Sequence, residues 1–460
     1  MIKTVSTSEP NFETAFDAIR NRLERLERIS SPSAQRKTEE IFGRPLSPRE
    51  VVQQIIHDVR AKGDEALLDY TRRLDGCELT AEDLKVTDRD CSDAYEQVPP
   101  ELLAAIRAAT ENVRRYQQHI KIASPQDFVQ EGARIETRYQ PLASVGVYVP
   151  GMLGAYPSTP IMAIVPAKVA GVERVVVTTP PAKDGKIAAA TLVAAKEAGA
   201  DEIYRVGGVQ AIAALAFGTD TIPRVDKVVG PGNLFVMLAK KEIFGQADID
   251  LFAGPSEILI IADAVANEDY VAADMLSQAE HDPMASAILV TTSEHLAEAV
   301  IDQIEAQLAK LPTRAVAQEA LDNYGLIVVA STIDEAIAIA DQMAPEHLEI
   351  ITAQPAEVGA RIRNAGAIFL GPHTPEVVGD YIAGSSHILP TGGTARFFSG
   401  LSVNDFLRKT AVIEYSFAAL RNVLGQLTAI GTAEGFAAHV ASAQIRFPKT
   451  HKPTGRGKKK

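Results

Sequence analysis

The residues most able to carry chemistry are histidines with a polar neighbour at a defined spacing. In the stretch MLSQAEHDP, Gln278 and His281 lie three residues apart, a spacing that puts two side chains on one face of a helix. Such a pair can supply two ligands to one metal ion. Local hydrogen bonding at a polar helix end is the alternative, and the spacing alone favours it.

Two further segments combine a histidine with a carboxylate. Glu346 and His347 are adjacent in APEHLE. They could form an acid/base pair, although adjacent side chains usually diverge. Asp380 and His387 lie in GDYIAGSSHILPTGG, which we interpret as an irregular, glycine-flanked segment. Its backbone can aim both side chains inward.

A fourth pair, Glu434 and His439, lies on a predicted helix of mostly small residues. If they are buried there, these groups need polar partners. A site that combines Gln, His, Asp and His offers N and O donors without a thiolate. Such a set suits a divalent cation of the zinc type in an open site rather than a closed structural one.

The common nucleotide-binding motifs are absent from the sequence. It contains neither a G-x-G-x-x-G after a strand nor a G-x-x-x-x-G-K-[ST]. Instead, the turns YVPG (148–151), GGVQA (207–211) and GPGN (230–233) each follow a predicted strand and precede a predicted helix. Ligands of open α/β sheets bind at the carboxyl ends of strands. The turns are therefore suitably placed, although a tight-turn glycine explains each one taken alone.

An alternation of helices and strands must position these residues. The first 120 or so residues are predicted to be helical, and Ser47, Pro48 and Glu50 fit the N-cap, N1 and N3 positions of a capping box. From about residue 140, β-branched runs alternate with helical segments, a rhythm typical of parallel sheets flanked by helices. There is enough of it for two sheets. The section 403–446 is predicted to return to helix.

Composition restricts the class of protein. The chain has 460 residues, of which 46% are hydrophobic and 23% charged, as in a globular protein with a large core. A net charge of −13 argues against nucleic-acid binding, and no apolar run is long enough to predict a membrane span. Cys77 and Cys91 form no CxxC pair, so we expect neither a disulfide framework nor a thiolate zinc site in a cytoplasmic protein.

Ordered blocks over residues 45–446 together resemble one family, the histidinol dehydrogenases, which are zinc- and NAD-dependent enzymes of histidine biosynthesis. The blocks include YVPG…YPST, GGVQAIAALAFGT, VVGPGN, AGPSEILIIAD, DMLSQAEHDP, APEHLE, GDYIAG…HILPTGGTAR and GLSVNDF. The resemblance implies oxidation of L-histidinol through L-histidinal to L-histidine, with two NAD reduced. The alternatives are a zinc- and NAD-dependent paralogue that oxidises another small amino alcohol or diol, and a catalytically silent homologue.

The resemblance also assigns roles to residues at the matching positions. The implied zinc ligands are Gln278, His281, Asp380 and, from the partner subunit of a homodimer, His439. The implied catalytic residues are Glu346 and His347. The implied substrate-binding residues are Ser256, Gln278, His281, His347, Asp380, His387, Glu434 and His439, and the implied NAD contacts are Tyr148, Gln210 and Asn233.

The implied fold has two incomplete Rossmann-like domains with parallel sheets and small helical N- and C-terminal segments, in an intertwined homodimer. We expect a first Rossmann-like domain with the zinc and catalytic motifs over 46–145 and 257–398, and a second one on the NAD side over 146–256. An N-terminal helical segment is expected over 1–45. At the other end, we expect a C-terminal helical dimerisation segment over 399–447 and a disordered basic tail over 448–460.

Two positions depart from the family's pattern. Met152 stands where the family usually has a glycine, in the loop after Tyr148. Ser386 stands where an asparagine often precedes the histidine that is His387 here. The first departure bears on cofactor affinity, and the second bears on the fit of the substrate.

Overall fold

The computed structural model describes residues 2–21, 32–151, 155–252 and 254–447. In this part of the chain the strands, in chain order, are β1 (Lys3–Ser6), β2 (Phe128–Gln130), β3 (Ala133–Pro141), β4 (Ser144–Tyr148), β5 (Arg174–Thr179), β6 (Glu202–Arg205), β7 (Lys227–Val229), β8 (Asp248–Ile249), β9 (Glu257–Ala262), β10 (Ser286–Thr291), β11 (Gly325–Val329), β12 (His347–Ile351), β13 (Ala367–Leu370) and β14 (Leu407–Tyr415).

Eighteen α-helices lie in the described part of the chain. In chain order they are α1 (Phe12–Arg20), α2 (Pro32–Phe42), α3 (Pro48–Lys62), α4 (Asp64–Tyr70), α5 (Asp88–Gln97), α6 (Pro100–Ile120), α7 (Ser158–Ala170), α8 (Ala189–Ala198), α9 (Gly208–Phe217), α10 (Leu234–Ile243), α11 (Glu268–Ala279), α12 (Glu294–Leu308), α13 (Arg314–Tyr324), α14 (Ile333–Met343), α15 (Pro355–Gly359), α16 (Glu376–Tyr381), α17 (Phe417–Ala433) and α18 (Ala437–Gln444). A π-helical turn lies at Thr71–Asp75, and 3₁₀ turns lie at Thr394–Arg396 and Val403–Phe406.

The chain divides into two compact units. The first runs up to Lys121 and resumes from Pro141 to Phe406, and it contains the two parallel sheets. The second combines Ile122–Gln140 with the chain from Leu407 onward. It contains a three-stranded sheet in the order β14-β3-β2 together with α17 and α18.

The larger parallel sheet in the first unit has six strands in the order β1-β11-β10-β9-β12-β13. All of its pairings are parallel. Its central strands are buried along their whole length, as expected of a sheet covered on both faces. The register pairs His347 with Ile258. The starts of β9 and β12 therefore lie side by side at the amino edge of this sheet.

The second parallel sheet has five strands in the order β6-β5-β4-β7-β8. The chain runs outward from β4 to β6 on one side and then from β7 to β8 on the other, so its direction reverses between β4 and β7. In open α/β sheets, ligands bind outside the carboxyl ends of the strands at such a reversal. Tyr148 ends β4 there, and Gly230 follows β7 with φ +121°. A Cβ on Gly230 would lie 2.2 Å from the Tyr148 carbonyl oxygen, so only glycine permits this close approach.

A buried ion pair holds the Gly230 turn in place. The side chains of Lys240 and Asp250, only 1% and 0% exposed, contact each other directly. Lys240 Nζ also donates to the Gly230 carbonyl at 2.9 Å, and the Gly230 N–H donates to Asp250 Oδ2 at 2.8 Å. The pair therefore satisfies both backbone polar groups of a glycine that belongs to no strand.

Most sequence-based predictions of the elements are confirmed. The alternation beyond residue 140 forms the two parallel sheets, and Ser47 and Glu50 form the capping box, with the Ser47 N–H donating to Glu50 Oε2 at 2.8 Å. None of the helices in the described part of the chain has both the length and the apolar composition to cross a membrane. The tail over 448–460 and Met152 lie outside the described residues.

Two predictions of helix are wrong. Lys3–Ser6 is a strand, because the edge of β11 is available to pair with it, and four residues are too few to show a period in the sequence. Leu407–Tyr415 is also a strand. Its residues alternate in part between half-buried and exposed positions and include the β-branched Thr410, Val412 and Ile413, a composition that favours a strand.

Replacing Lys240 by Met should destabilise the first unit. The substitution leaves the Asp250 carboxylate buried without its counter-charge, which we expect to lower the free energy of unfolding by about 3–5 kcal/mol. Urea denaturation followed by circular dichroism measures the change. Lys241→Met, at the next and exposed position, is the matched control and should shift the free energy by less than about 0.5 kcal/mol. Equal stability of the two variants would contradict the role given to the ion pair.

Candidate active site

The candidate site lies at the amino edge of the six-stranded sheet. His347 is the first residue of β12, Asp380 lies on α16 after β13, and His281 follows the end of α11. Three segments that are distant in the sequence therefore bring their polar side chains to the same edge.

The backbone of Glu257, the first residue of β9, holds both Glu346 and His347. The Glu257 N–H donates to Glu346 Oε2 at 2.8 Å, and the Glu257 carbonyl lies 3.1 Å from His347 Nδ1. A carbonyl can only accept, so Nδ1 carries the hydrogen. His347 Nε2 then faces Asp380 Oδ1 at 3.6 Å. The backbone of one residue thus keeps together two adjacent side chains that usually diverge, with Glu346 Oε2 3.7 Å from His347 Nδ1.

Burial and charge perturb the pKa values of this pair. Burial raises the pKa of Glu346 to about 8. Burial alone would lower the pKa of His347, but the nearby carboxylates of Glu346 and Asp380 outweigh it and raise that pKa to about 10. Each group depends on the other for its charge. Such perturbed, mutually dependent acids and bases are typical of catalytic sites.

His281, Glu376 and Asp380 can place one ligand atom each within 4.8 Å of one another. Glu376 and Asp380 are buried, and His281 is exposed. Burial alone would raise the pKa of Asp380, but the neighbouring histidines, His347 first among them, outweigh it and lower that pKa. Imidazole and carboxylate donors of this kind suit a divalent cation of the zinc type.

Gln278 Oε1 and Glu376 Oε2 are among the buried oxygens that have no hydrogen-bond partner in the described part of the chain. Buried polar atoms are normally paired, and a bound cation would pair these. The other oxygen of Glu376, Oε1, accepts from the Ser277 hydroxyl at 2.6 Å. The residues present therefore fit a divalent metal ion.

The helical-face argument for Gln278 and His281 is wrong in one respect. α11 ends at Ala279, so His281 lies beyond the helix. The His281 N–H donates to the Gln278 carbonyl at 3.3 Å, which turns the chain after the helix. A turn, rather than a shared helix face, places this histidine.

Sequence reasoning missed Glu376 because it treated the segment around Asp380 as irregular. The segment contains the short helix α16, in which Glu376 and Asp380 are four residues apart. Residues at this spacing lie on one helix face. The pattern EVVGD therefore carried a signal that a helical interpretation would have found.

A second pair of acids, also missed, lies behind the cluster. Glu349 follows His347 by two residues on β12, and its carboxyl group is hydrogen-bonded to that of Asp274 on α11. Glu349 Oε1 accepts the Glu376 N–H at 2.7 Å. Burial raises the pKa of Glu349 to about 9 and that of Asp274 to about 6.

Two of the expected substrate-binding residues also lie at this edge. His387 Nδ1 lies 3.2 Å from the carbonyl of Asp380, and burial lowers the pKa of His387. Its imidazole is therefore held mainly neutral, with Nδ1 donating. Ser256 immediately precedes β9, and its carbonyl accepts the Ser286 N–H at 3.0 Å.

The three expected NAD contacts lie near the carboxyl edge of the five-stranded sheet. The Tyr148 hydroxyl accepts the Gly208 N–H at 3.3 Å, Gln210 Nε2 donates to Asp75 Oδ2 at 3.4 Å, and Asn233 Oδ1 caps α10 by accepting from the N–H groups of Phe235 and Val236. Tyr148 and Gln210 are buried. All three side chains thus shape the turns around the crevice between β4 and β7.

Glu434 and His439 belong to the second unit. Glu434 follows the last residue of α17, and His439 lies on α18 with its ring 5.0 Å from that of Phe436. Both are exposed, so the idea that their helix buries them within this chain is wrong. The physical reason is the size of the helical pair, which buries only a few small residues of its own, among them Gly431 and Val440.

Comparison with known proteins extends this description. The family model for histidinol dehydrogenase matches residues 44–447. A histidinol dehydrogenase from Geobacillus kaustophilus (strain HTA426) is 48% identical over 425 residues, which cover 92% of this chain and 99% of the relative. One from Rhodopirellula baltica (strain DSM 10527 / NCIMB 13988 / SH1) is 44% identical over 448 residues, or 97% of each chain.

A solved structure agrees. The crystal structure of histidinol dehydrogenase from Elizabethkingia anophelis superposes with a TM-score of 0.86 at 32% identity and covers 97% of this chain and 98% of that chain. The sequence comparisons and the structural comparison both match histidinol dehydrogenases over nearly the whole length of this chain. This chain belongs to the histidinol dehydrogenase family.

Proposed function

We propose that this chain oxidises L-histidinol through L-histidinal to L-histidine, using zinc and two molecules of NAD. The observation that carries the proposal is the pair Glu346 and His347, held by the backbone of Glu257 next to a cluster of metal-type donors. Relatives described as histidinol dehydrogenases, 44–48% identical over most of the chain, support it.

In this proposal Gln278, His281 and Asp380 hold the zinc ion, together with His439 of the partner subunit. The unpaired Gln278 Oε1 and the clustered donors support the set. When bound, a zinc ion supplies a fixed positive charge that orients the polar groups of the substrate. His387, Ser256 and Glu434 of the partner subunit would then complete the binding of the substrate.

NAD is proposed to bind the five-stranded sheet, residues 146–256, at the crevice between β4 and β7. The turns that carry Tyr148, Gln210 and Asn233 line this crevice, at the carboxyl ends of the strands where ligands of open α/β sheets bind. When bound, NAD accepts a hydride from the carbon being oxidised. The chain itself contributes the shape of the crevice, because the tight turn at Gly230 lets its backbone lie close to that of Tyr148.

His347 is the proposed base for the first oxidation. Its Nδ1 hydrogen is donated to the Glu257 carbonyl, so Nε2 is the atom that takes the hydroxyl proton. The raised pKa of His347 means that Nε2 must first release its own proton, which alkaline pH favours. Glu346 is proposed to remove a proton from the water that adds to the aldehyde. His347 then takes a proton from the hydrated aldehyde in the second oxidation. The burial of both side chains excludes bulk water from these transfers.

We also propose a homodimer in which the second unit of each chain completes the site of the other. Its large apolar side chains support this, since Phe417, Ile430, Phe436 and Ile445 are each more than half exposed. Such residues mark interaction surfaces when they cluster. Glu434 and His439 are exposed on the same pair of helices, and they would reach the partner's site from this surface.

Counting NADH tests the proposed reaction. Zinc-loaded protein with excess NAD and limiting L-histidinol should form two NADH per substrate, as followed by absorbance, because the alcohol is oxidised twice. Chelation should abolish the reaction, and added zinc should restore it. One NADH per substrate would contradict the second oxidation. No NADH from a zinc-bound protein would instead point to another small amino alcohol or diol.

Substitutions should separate the roles of the catalytic pair. His347→Asn should lower the rates with both L-histidinol and L-histidinal by about 100- to 10,000-fold, the range for loss of a general base. Glu346→Gln should spare the first oxidation more than the second. Steady-state rates with each substrate measure this. Glu335→Gln, at the opposite edge of the same sheet, is the control and should leave both rates unchanged. Equal losses of both steps in Glu346→Gln would contradict the division of labour.

Mixing two inactive variants tests the shared site. If His439 acts across the dimer, a hybrid of His347→Asn and His439→Asn subunits has one site with both histidines intact. Unfolding, mixing and refolding should then recover about one quarter of the wild-type activity, as expected for random pairing in a two-fold dimer. Each variant refolded alone is the control. No recovery, with dimers present by size-exclusion chromatography, would place His439 in the site of its own chain.

A further inference from the structure

Glu349 lies where three elements of the candidate metal site meet. It belongs to β12, two residues after His347. Its carboxyl group is hydrogen-bonded to Asp274 on α11 and to the first backbone N–H of α16. These three elements carry, or lead directly to, the residues proposed to hold zinc and to move protons. The proposed mechanism gives neither Glu349 nor Asp274 a role.

The contact with α16 replaces a missing helix cap. The residue before this helix is Pro375, and its side chain makes no capping hydrogen bond. Glu349 Oε1 accepts the Glu376 N–H at 2.7 Å instead. An anionic or polar oxygen at a helix N-terminus stabilises it. The cap comes from the strand of His347, so it fixes the helix that bears Asp380 relative to that strand.

The contact with α11 requires a proton between two carboxyl groups. Glu349 Oε2 is buried and has no N–H or hydroxyl partner, and the carboxyl of Asp274 lies within hydrogen-bonding distance of Glu349. Two carboxyl groups form a hydrogen bond only if one of them is protonated. Asp274 lies four residues before Gln278, on the same helix face. The bond therefore also fixes the face of α11 that presents Gln278.

A second link joins the same two helices. The Ser277 hydroxyl donates to Glu376 Oε1 at 2.6 Å. Glu349 is the junction, however, because it contacts both helices from β12. Metal sites require their donors to be held within about 0.5 Å of the productive geometry. Outer groups that orient the ligands therefore contribute to metal affinity without touching the metal.

We propose that Glu349, hydrogen-bonded to Asp274, is a positioning residue that sets the geometry of the zinc ligands by tying α11 and α16 to β12. This inference rests on the zinc site of the proposed function. It assigns Glu349 no contact with substrate, cofactor or metal.

Zinc affinity, measured by competition with a chromogenic chelator, tests the proposal. Glu349→Ala should weaken zinc binding about 10- to 100-fold, the range seen for groups that orient metal ligands. Glu349→Gln should bind zinc as the wild type does, because its amide oxygen can accept from Glu376 and its amide nitrogen can donate to Asp274. Circular dichroism on each variant confirms folding.

Matched variants separate positioning from general stability. Glu335→Ala also removes a carboxylate that accepts a backbone N–H, from Ser331 at 2.8 Å, but at the carboxyl edge of the same sheet. It should leave zinc affinity unchanged. If Glu349→Ala does not fold, Asp274→Ala and Asp274→Asn give the same comparison, since only the amide can keep a hydrogen bond to Glu349.

The outcomes distinguish this inference from the proposed function. A wild-type protein that binds no zinc would overturn the proposed site and this inference with it. Zinc-binding wild type with unchanged affinity in Glu349→Ala, or in Asp274→Ala, would overturn the positioning role alone. Equal losses of affinity in Glu349→Ala and Glu335→Ala would also overturn it, since both would then reflect stability. Weak binding in the alanine variants that is restored in the amide variants supports it.

Discussion

The crowding of buried acids at one edge of the six-stranded sheet is the constraint on which the rest of the site depends. Glu346, Glu349, Glu376 and Asp380 are all buried there, with His347 as a buried cationic partner. Charges of one sign cannot be removed from water together unless protons or a cation balance them. The raised pKa values of Glu346 and Glu349 show the first solution, and the cluster of metal-type donors shows the second. The proposed acid–base chemistry and the proposed metal binding would thus share one electrostatic origin.

The two parallel sheets place their polar residues at opposite ends of their strands. The five-stranded sheet places its Gly-rich turns at the carboxyl ends of strands, where helix N-termini attract anions. The six-stranded sheet places its polar residues at the amino ends instead, where backbone N–H groups such as that of Glu257 are directed at carboxylates. In the proposed function, the same architecture therefore uses one edge for the phosphate groups of NAD and another for a site that is itself anionic.

Residue types and local periods made much of this predictable. The strands beyond residue 140 and the capping box at Ser47 follow from short-range patterns. The residues and elements that the sequence did not predict depend mostly on long-range contacts. Glu349 acquires its importance only when α11 and α16 pack against β12, and β1 exists only because β11 leaves an edge open. Glu376 is different, because its spacing of four residues from Asp380 is visible in the sequence. The nearby glycines led to the interpretation of this segment as irregular, so the helical spacing was overlooked.

The three-stranded sheet of the second unit has a consequence for synthesis. The hairpin of β2 and β3 ends near residue 141, whereas its partner β14 begins at Leu407. At ribosomal rates of about 5–20 residues per second, the hairpin waits on the order of tens of seconds for that strand. During this time one side of β3 is an unpaired edge, which is open to pairing with other chains. Along β3, charged residues alternate with uncharged ones, so Arg134, Glu136 and Arg138 lie on one face of the strand. These charges oppose such pairing while the chain is being completed.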